Sequence, residues 1–308
     1  MEVLKIRNVA IIGTGQIGFV VSWLCAANGG LGTYLYDIVP ENMQRTMNRL
    51  KESFQERLDL ENATIAFSRL HPCKDLKEAL NNVDLAFENV PEVMEVKQKM
   101  HAEIGSLAPP HVLMGSNTSS MICSPLAEAS GRPEKFFNMN FSVIDPQREA
   151  LAELMGNPKT TEATMQAARN WAKSIGVVPV VTKEEIMGYA VNRIWRAIKK
   201  ESLFLVDQGY SDPESIDRGF MLLFGTPYGP FGIMDAAGLD TIEHIEWRYY
   251  ENSRDESDKP PKVLRDLVKA GHLGEKTGRG FYSYPNPNYK HPGWLTMDPP
   301  WEEDEKGN

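Results

Sequence analysis

The sequence predicts an α/β chain: an open, mostly parallel, doubly wound sheet in its first part, then an all-helical second part. Three observations carry this. Short β-branched runs alternate with helical segments up to about residue 185, a glycine-rich turn joins the first run to a helix, and the strand pattern stops after Thr182. At 308 residues the chain exceeds one typical core, so two domains are expected.

NVAIIG (8–13), TYLYD (33–37), TIAFS (64–68), VDLAFENV (83–90), HVLMGS (111–116), KFFNMNF (135–141), ALAELMG (150–156) and VVPVVT (177–182) read as strands. Between them, residues 40–58, 91–107 and 160–176 carry helical spacing and helix-start residues. Beyond Thr182, residues 186–209, 212–225, 230–251 and 260–274 read as four helical segments punctuated by Gly and Pro. The expected domains are therefore 1–185 and 186–284, followed by a proline-containing tail over 285–308, extended on the surface or disordered.

Composition narrows the function. The chain is 42% hydrophobic and 24% charged, with a net charge of -9 and no Lys/Arg cluster, so nucleic acid is not an expected partner. Cys25, Cys73 and Cys123 are odd in number and far apart, which suggests neither a disulfide framework nor a zinc site and fits a reducing compartment. The charge-free stretch from Ile11 to Tyr36 is broken by glycines, and MEVLKIR lacks a signal peptide's apolar core. A cytoplasmic protein with no membrane partner is expected, and the spacing of the six histidines suggests no metal site.

GTGQIG supplies Gly13, Gly15 and Gly18 directly after the first strand and, with Gln16 and Ile17, opens a helix. Such glycines allow a tight turn, close approach of a pyrophosphate, and close helix packing, while the helix N-terminus offers donors and a positive dipole. Asp37 ends the second strand. A carboxylate there suits a ribose diol and repels a 2′-phosphate, and the following IVPE offers no Arg, so NAD is expected over NADP. FAD uses the same fingerprint, but no second flavin motif is present.

EKFFNMNFSVIDP (134–146) sets Asn138 and Asn140 two residues apart, hence on one face of a strand. Asn is depleted from strands, and a buried amide without a partner costs roughly 1–3 kcal/mol. These amides face a partner, water or a site.

ENVPE (88–92) with Lys97, GSNTSS (115–120), GYAVNRI (188–194), GPFGIMDAAGLD (229–240) and LGEKTGRGFYSY (273–284) resemble, in order and spacing, the 3-hydroxyacyl-CoA dehydrogenases over residues 6–284. The resemblance implies a Rossmann domain and a helical domain that forms a homodimer. It implies cofactor contacts at Asp37, Glu92, Lys97, Ser116 and Lys276, with Ser116 also reaching substrate and Asn192 binding substrate. It further implies hydride transfer between nicotinamide and a secondary alcohol carbon, C3 of a small 3-hydroxy or 3-oxo acid or its derivative, with a His moving the hydroxyl proton and a Glu orienting that His. Glu153 matches the Glu. The His position holds Asn140.

An amide has no useful basicity near neutral pH, and loss of a general acid/base typically costs roughly 10²- to 10⁴-fold. Three readings follow: a dehydrogenase in which Glu153 moves the proton through water, an amine or imine dehydrogenase in which Asn140 and Glu153 hold an iminium, and an NAD(H)-binding protein without turnover. The segment from Pro40 to Val83 is shorter than in the acyl-CoA enzymes. Arg45, Arg49, Lys51 and Arg57 remain as phosphate partners, though a solvated helix face is the expected role of each. The segment resembles relatives acting on small free hydroxy acids or on carnitine, so a CoA thioester is not the expected substrate.

Overall fold

The computed structural model of the chain describes residues 4–142, 146, 150–291 and 293–296. The chain divides into two compact units, Met1–Asn192 and Arg193–Asn308.

In chain order the first unit contains β1 (Asn8–Ile12), α1 (Gln16–Trp23), β2 (Gly32–Tyr36), α2 (Pro40–Arg57), α3 (Leu60–Ser68), β3 (Leu70–Pro72), α4 (Leu76–Leu80), β4 (Leu85–Glu88) and α5 (Met94–Leu107). It continues with β5 (Leu113–Ser116), α6 (Ser124–Ala129), β6 (Phe136–Ser142), β7 (Ala150–Gly156), α7 (Glu162–Ser174) and β8 (Val177–Thr182). The strands form one sheet in the order β3-β2-β1-β4-β5-β6-β7-β8, parallel except for the antiparallel pair β6–β7. Strand order reverses between β1 and β4, and ligands of such sheets bind beyond the carboxyl ends of the strands at that point.

Alternation of side chains builds two apolar layers. Val9 and Ile11 of β1 and Phe137, Met139 and Phe141 of β6 face one core with Trp171, while Ala10, Ile12 and Phe136 face the other with Met114 and Met155. Asn138 and Asn140 share the face of Phe136. Asn138 is fully buried and donates through Nδ2 to the Met121 carbonyl at 3.2 Å, the role of a structural amide.

Several expectations are corrected. TIAFS (64–68) is the end of α3, not a strand: Asp59 caps the helix by accepting from the Asn62 N–H at 2.8 Å, and Ala63 and Ala66 pack inward one turn apart. The edge strand is instead Leu70–Pro72, three residues beside β2, where a proline is tolerated. Around the expected boundary at 185 the chain stays packed on the sheet: the Ile186 N–H meets Met155 Sδ at 3.3 Å, Tyr189 is fully buried and the Val191 N–H donates to Glu153, so the first compact unit continues to Asn192.

In the second unit lie α8 (Val191–Asp207, whose first two residues belong to the first unit), α9 (Pro213–Phe224), α10 (Pro230–Ala237), α11 (Leu239–Ser253) and α12 (Lys262–Lys269). The single helix expected over 230–251 breaks at Gly238, which takes φ +93°. Within the expected surface tail, Tyr289 and Trp294 are buried in the helical core with Phe231 and Met234, while Pro285, Lys290 and Thr296 are exposed. The terminal WEEDEKGN and the VID of NFSVID lie outside the described residues. Among the described residues no helix is long and apolar enough to cross a membrane.

Candidate active site

Each glycine of the first turn has its own reason to be there. Gly13 adopts φ +87°, and a Cβ on it would lie 2.8 Å from the Asn89 carbonyl carbon. A Cβ on Gly18 would lie 2.2 Å from the Gly13 oxygen, so Gly18 lets α1 pack against the turn. A Cβ on Gly15 would meet no atom within 4 Å. That clearance at the N-terminus of α1, whose first turn carries no acidic side chain, fits the approach of a dinucleotide phosphate.

Asp37 stands beside this turn. Its Oδ2 accepts from the N–H and the hydroxyl of Thr14, at 2.8 and 2.9 Å, and its Oδ1 accepts from the Val39 N–H at 2.9 Å. The carboxylate is thus fixed at the end of β2, and Ile38, Val39, Pro40 and Glu41 after it offer no cation to a 2′-phosphate. The residues present fit NAD, which supplies a hydride acceptor or donor when bound. Gln16 is exposed and accepts from Arg49 Nη2 at 3.2 Å, while Arg49 stacks over Phe19.

Beyond the ends of β4 and β5 lies a cavity of about 350 Å³ lined by Ile17, Val90, Glu92, Asn117, Thr118, Ser119, Asn140 and Phe141. Glu92 shapes one wall. Its Oε1 accepts from the hydroxyls of Thr118 and Ser120, at 2.6 and 3.1 Å, and from the N–H groups of Ser119 and Ser120, at 3.1 and 3.2 Å.

Behind that wall is a cluster the sequence reading missed. Glu88, fully buried, accepts from Lys97 Nζ (2.8 Å) and the Val90 N–H (2.5 Å) on Oε1, and from the Ser116 hydroxyl (2.6 Å) on Oε2, with His101 Nε2 at 3.0 Å from Oε2. Burial alone would raise its pKa, but the hydrogen bond to His101 and the charge of Lys97 outweigh that and hold the carboxyl below its ordinary value. The available signal was a Glu inside the apolar VDLAFENV, with Lys97 and His101 spaced i, i+4 on one helix face.

Two residues expected at the site are engaged in this cluster. Ser116 is fully buried with its hydroxyl directed at Glu88, because the β4–β5 register sets the two side by side; Ser119 is the serine that faces the cavity. Lys97 is also fully buried, and its three N–H bonds go to Glu88, the Val90 carbonyl (3.2 Å) and the Asn117 carbonyl (2.7 Å). It ties the two loops of the cavity wall together, and its ammonium also stands 3.6 Å from Glu92 Oε2.

Asn140 and Glu153 are register partners on the antiparallel pair β6–β7, which places their side chains next to each other on one face. Asn140 is 7% exposed and lines the cavity, whereas Glu153 is fully buried behind it. Glu153 Oε1 accepts from the Val191 N–H at 2.6 Å, capping the start of α8, and Oε2 has no hydrogen-bond partner among the described residues. The cap places Asn192, whose Nδ2 lies 3.5 Å from the Ser119 carbonyl oxygen. Lys276 lies in the helical unit, paired with Asp240 at 2.5 Å.

An open glycine turn, a carboxylate fixed at the end of β2 and a polar cavity past the strand ends fit the cofactor domain of a nicotinamide-dependent dehydrogenase. The family model of the 3-hydroxyacyl-CoA dehydrogenase NAD binding domain matches residues 8–185, and that of the C-terminal domain matches residues 188–284. The chain belongs to the 3-hydroxyacyl-CoA dehydrogenase family, with NAD as its cofactor. It is 32% identical over 284 residues to a 3-hydroxybutyryl-CoA dehydrogenase of Bradyrhizobium diazoefficiens, covering 91% of this chain and 96% of that one. It is 29% identical to a 5-formyl-3-hydroxy-2-methylpyridine 4-carboxylate 5-dehydrogenase of Mesorhizobium japonicum, over 91% of both chains. The crystal structure of an (S)-3-hydroxybutyryl-CoA dehydrogenase from Ralstonia eutropha superposes with a TM-score of 0.80 at 29% identity, covering 92% of this chain and all of that one.

Proposed function

We propose that the chain transfers a hydride between NAD and C3 of a small 3-hydroxy or 3-oxo acid or its derivative, at the cavity beside Ile17. The observation that carries this reading is the placement of Asn140 and Ser119 on that cavity, directly past the open turn at Gly15. Asp37 is assigned the ribose of the cofactor and Glu92 the nicotinamide side, with Gly13, Gly15, Gln16, Ile17 and Gly18 forming the phosphate turn. Glu153 and Asn192 are assigned to the substrate, and Lys276 to the cofactor from the helical unit. After Val39 stand helices α2 and α3, and the basic side chains of α2 are accompanied by Glu52 and Glu56, which favours a free acid over a CoA thioester. A homodimer through the helical unit and a cytoplasmic setting complete the proposal, the latter supported by three buried free cysteines.

NADH deuterated at C4 tests the hydride step. Incubated with short 3-oxo acids, acetoacetyl-CoA and simple ketones, in sodium or ammonium chloride, the protein is expected to place deuterium on the reduced carbon of at least one product. NADH binding with no deuterium transfer to any of them would instead establish a cofactor-binding protein without turnover.

A further inference from the structure

We propose that the group held at the Asn140–Glu153 corner is a positively charged nitrogen on the reacting carbon, so that the preferred substrate pair is an iminium and its amine rather than a ketone and its alcohol. This rests on the hydride reading above and names its substrate class.

Three features of the corner point the same way. Glu153 is a fully buried carboxyl with one oxygen committed to the Val191 N–H and the other, among the described residues, without a donor. A buried carboxylate oxygen left unpartnered is costly, and a cation or charge-assisted donor beside it removes that cost. Asn140 stands next to it in the strand register and opens onto the cavity. Its amide makes no hydrogen bond to Glu153 and can offer Oδ1 to an N–H in the cavity. Finally, among the described residues the only charged side chain lining the cavity is Glu92, an anion, with the buried Lys97 ammonium 3.6 Å from its Oε2 on the side away from the lining.

The same corner is poorly equipped for an alcohol. Reduction of a ketone leaves an alkoxide that must take a proton, and no histidine lines the cavity. In the first unit, His101 is locked in the Glu88 cluster, His71 stacks on Tyr34, and His111 bonds the Val83 carbonyl at the foot of β5. Tyr189, a buried phenol with an unpartnered hydroxyl, packs in the core and does not line the cavity. An iminium has no such requirement. A ketone and ammonium condense to R₂C=NH₂⁺ with loss of water. Hydride from the reduced cofactor then forms the C–H bond while the C=N π pair becomes the nitrogen lone pair, giving R₂CH–NH₂ and NAD⁺ with no proton delivered by the protein.

The test compares NADH oxidation by short 3-oxo acids and ketones in ammonium chloride and in sodium chloride of equal ionic strength, with ¹⁵N-ammonium and mass analysis of the product. The expected result is turnover that saturates with ammonium and a ¹⁵N-labelled amine product. Equal rates in both salts with an alcohol product overturn this inference and leave the dehydrogenase reading standing, whereas absence of turnover in both overturns the two together. A binding measurement stands apart from turnover. By calorimetry in the presence of NAD, 3-aminobutyrate should bind about tenfold tighter than 3-hydroxybutyrate, the difference between a charge-assisted and a neutral hydrogen bond.

Glu153→Gln keeps an oxygen for the Val191 N–H but removes the charge, so it should abolish that preference while leaving NADH affinity unchanged; an unaltered preference overturns the assignment. Asn140→His supplies the missing acid and should raise ammonium-independent ketone reduction by roughly 10²-fold or more. No gain in that variant also counts against the assignment of Asn140 to the reacting group.

Discussion

Ser116 and Ser119, three residues apart in one SNTSS run, have opposite surroundings. Ser116 spends its hydroxyl on a buried carboxylate, while Ser119 stands on the cavity wall. Ser116→Ala removes a hydrogen bond to a charged group and should lower stability by roughly 1–3 kcal/mol in urea unfolding, with KM little changed. Ser119→Ala should leave the unfolding midpoint in place and lower kcat/KM. The reverse pattern would return Ser116 to the site. The motif was legible in the sequence, but which serine faces outward was not, because that depends on the pairing of Glu88 with Ser116 across β4 and β5. Likewise the identity of residue 140 was readable at once, whereas the commitment of one Glu153 oxygen to capping α8 required the chain after β8 to be seen folding back.

At the scale of elements, the β1–α1 turn was the most legible feature, since its glycines, helix and acid all fall within a local stretch whose spacing is set by backbone geometry. The glycines separate by experiment. Gly15→Val places its side chain in open space and should fold as the parent does while losing NADH affinity, measured by fluorescence titration. Gly18→Ala drives a methyl into the Gly13 carbonyl and should cost roughly 1–3 kcal/mol or more before any effect on the cofactor is considered. Less legible was TIAFS, where β-branched residues suggested a strand and the cap at Asp59 decided for helix. The matched motifs of the helical half also prove to be fold elements. Asp217 of α9 accepts from the Phe231 and Gly232 N–H groups at the start of α10 and from the Tyr282 hydroxyl, and Asp235 accepts from the Phe281 and Tyr282 N–H groups. Burial pushes Asp217 up to about 6. A carboxyl raised in the folded state keeps its proton where the unfolded chain has lost it, so its contribution to stability falls as pH rises from about 4 to about 6. The stability of the parent relative to Asp217→Asn should therefore shrink over that interval, and urea unfolding of both at pH 4.5 and 7 would reveal a flat difference if the carboxyl were not raised.

For the molecule as a whole, the helical unit leaves apolar surface in water that an isolated chain has no reason to keep. Of the seventeen residues of α8 only Lys199, Ser202 and Leu203 are buried, while Ile194 is 63% and Phe204 46% exposed. At the end of α9, Leu222, Leu223 and Phe224 stand 59%, 76% and 61% exposed in succession. Scattered exposed apolar residues are ordinary, but three consecutive large ones closing a helix of a protein with net charge -9 are a contact surface or an aggregation hazard. A second copy of the chain is the occupant expected here, since an isologous dimer covers the same patch on both partners at once. Light scattering at micromolar concentration should give twice the chain mass of 34.6 kDa. If Leu223 and Phe224 are central to that contact, L223E and F224E should each weaken association by roughly thirtyfold or more, the effect of losing one hot-spot residue, while leaving NADH titration unchanged. A parent that is monomeric at these concentrations, or a dimer indifferent to both changes, would place the contact elsewhere.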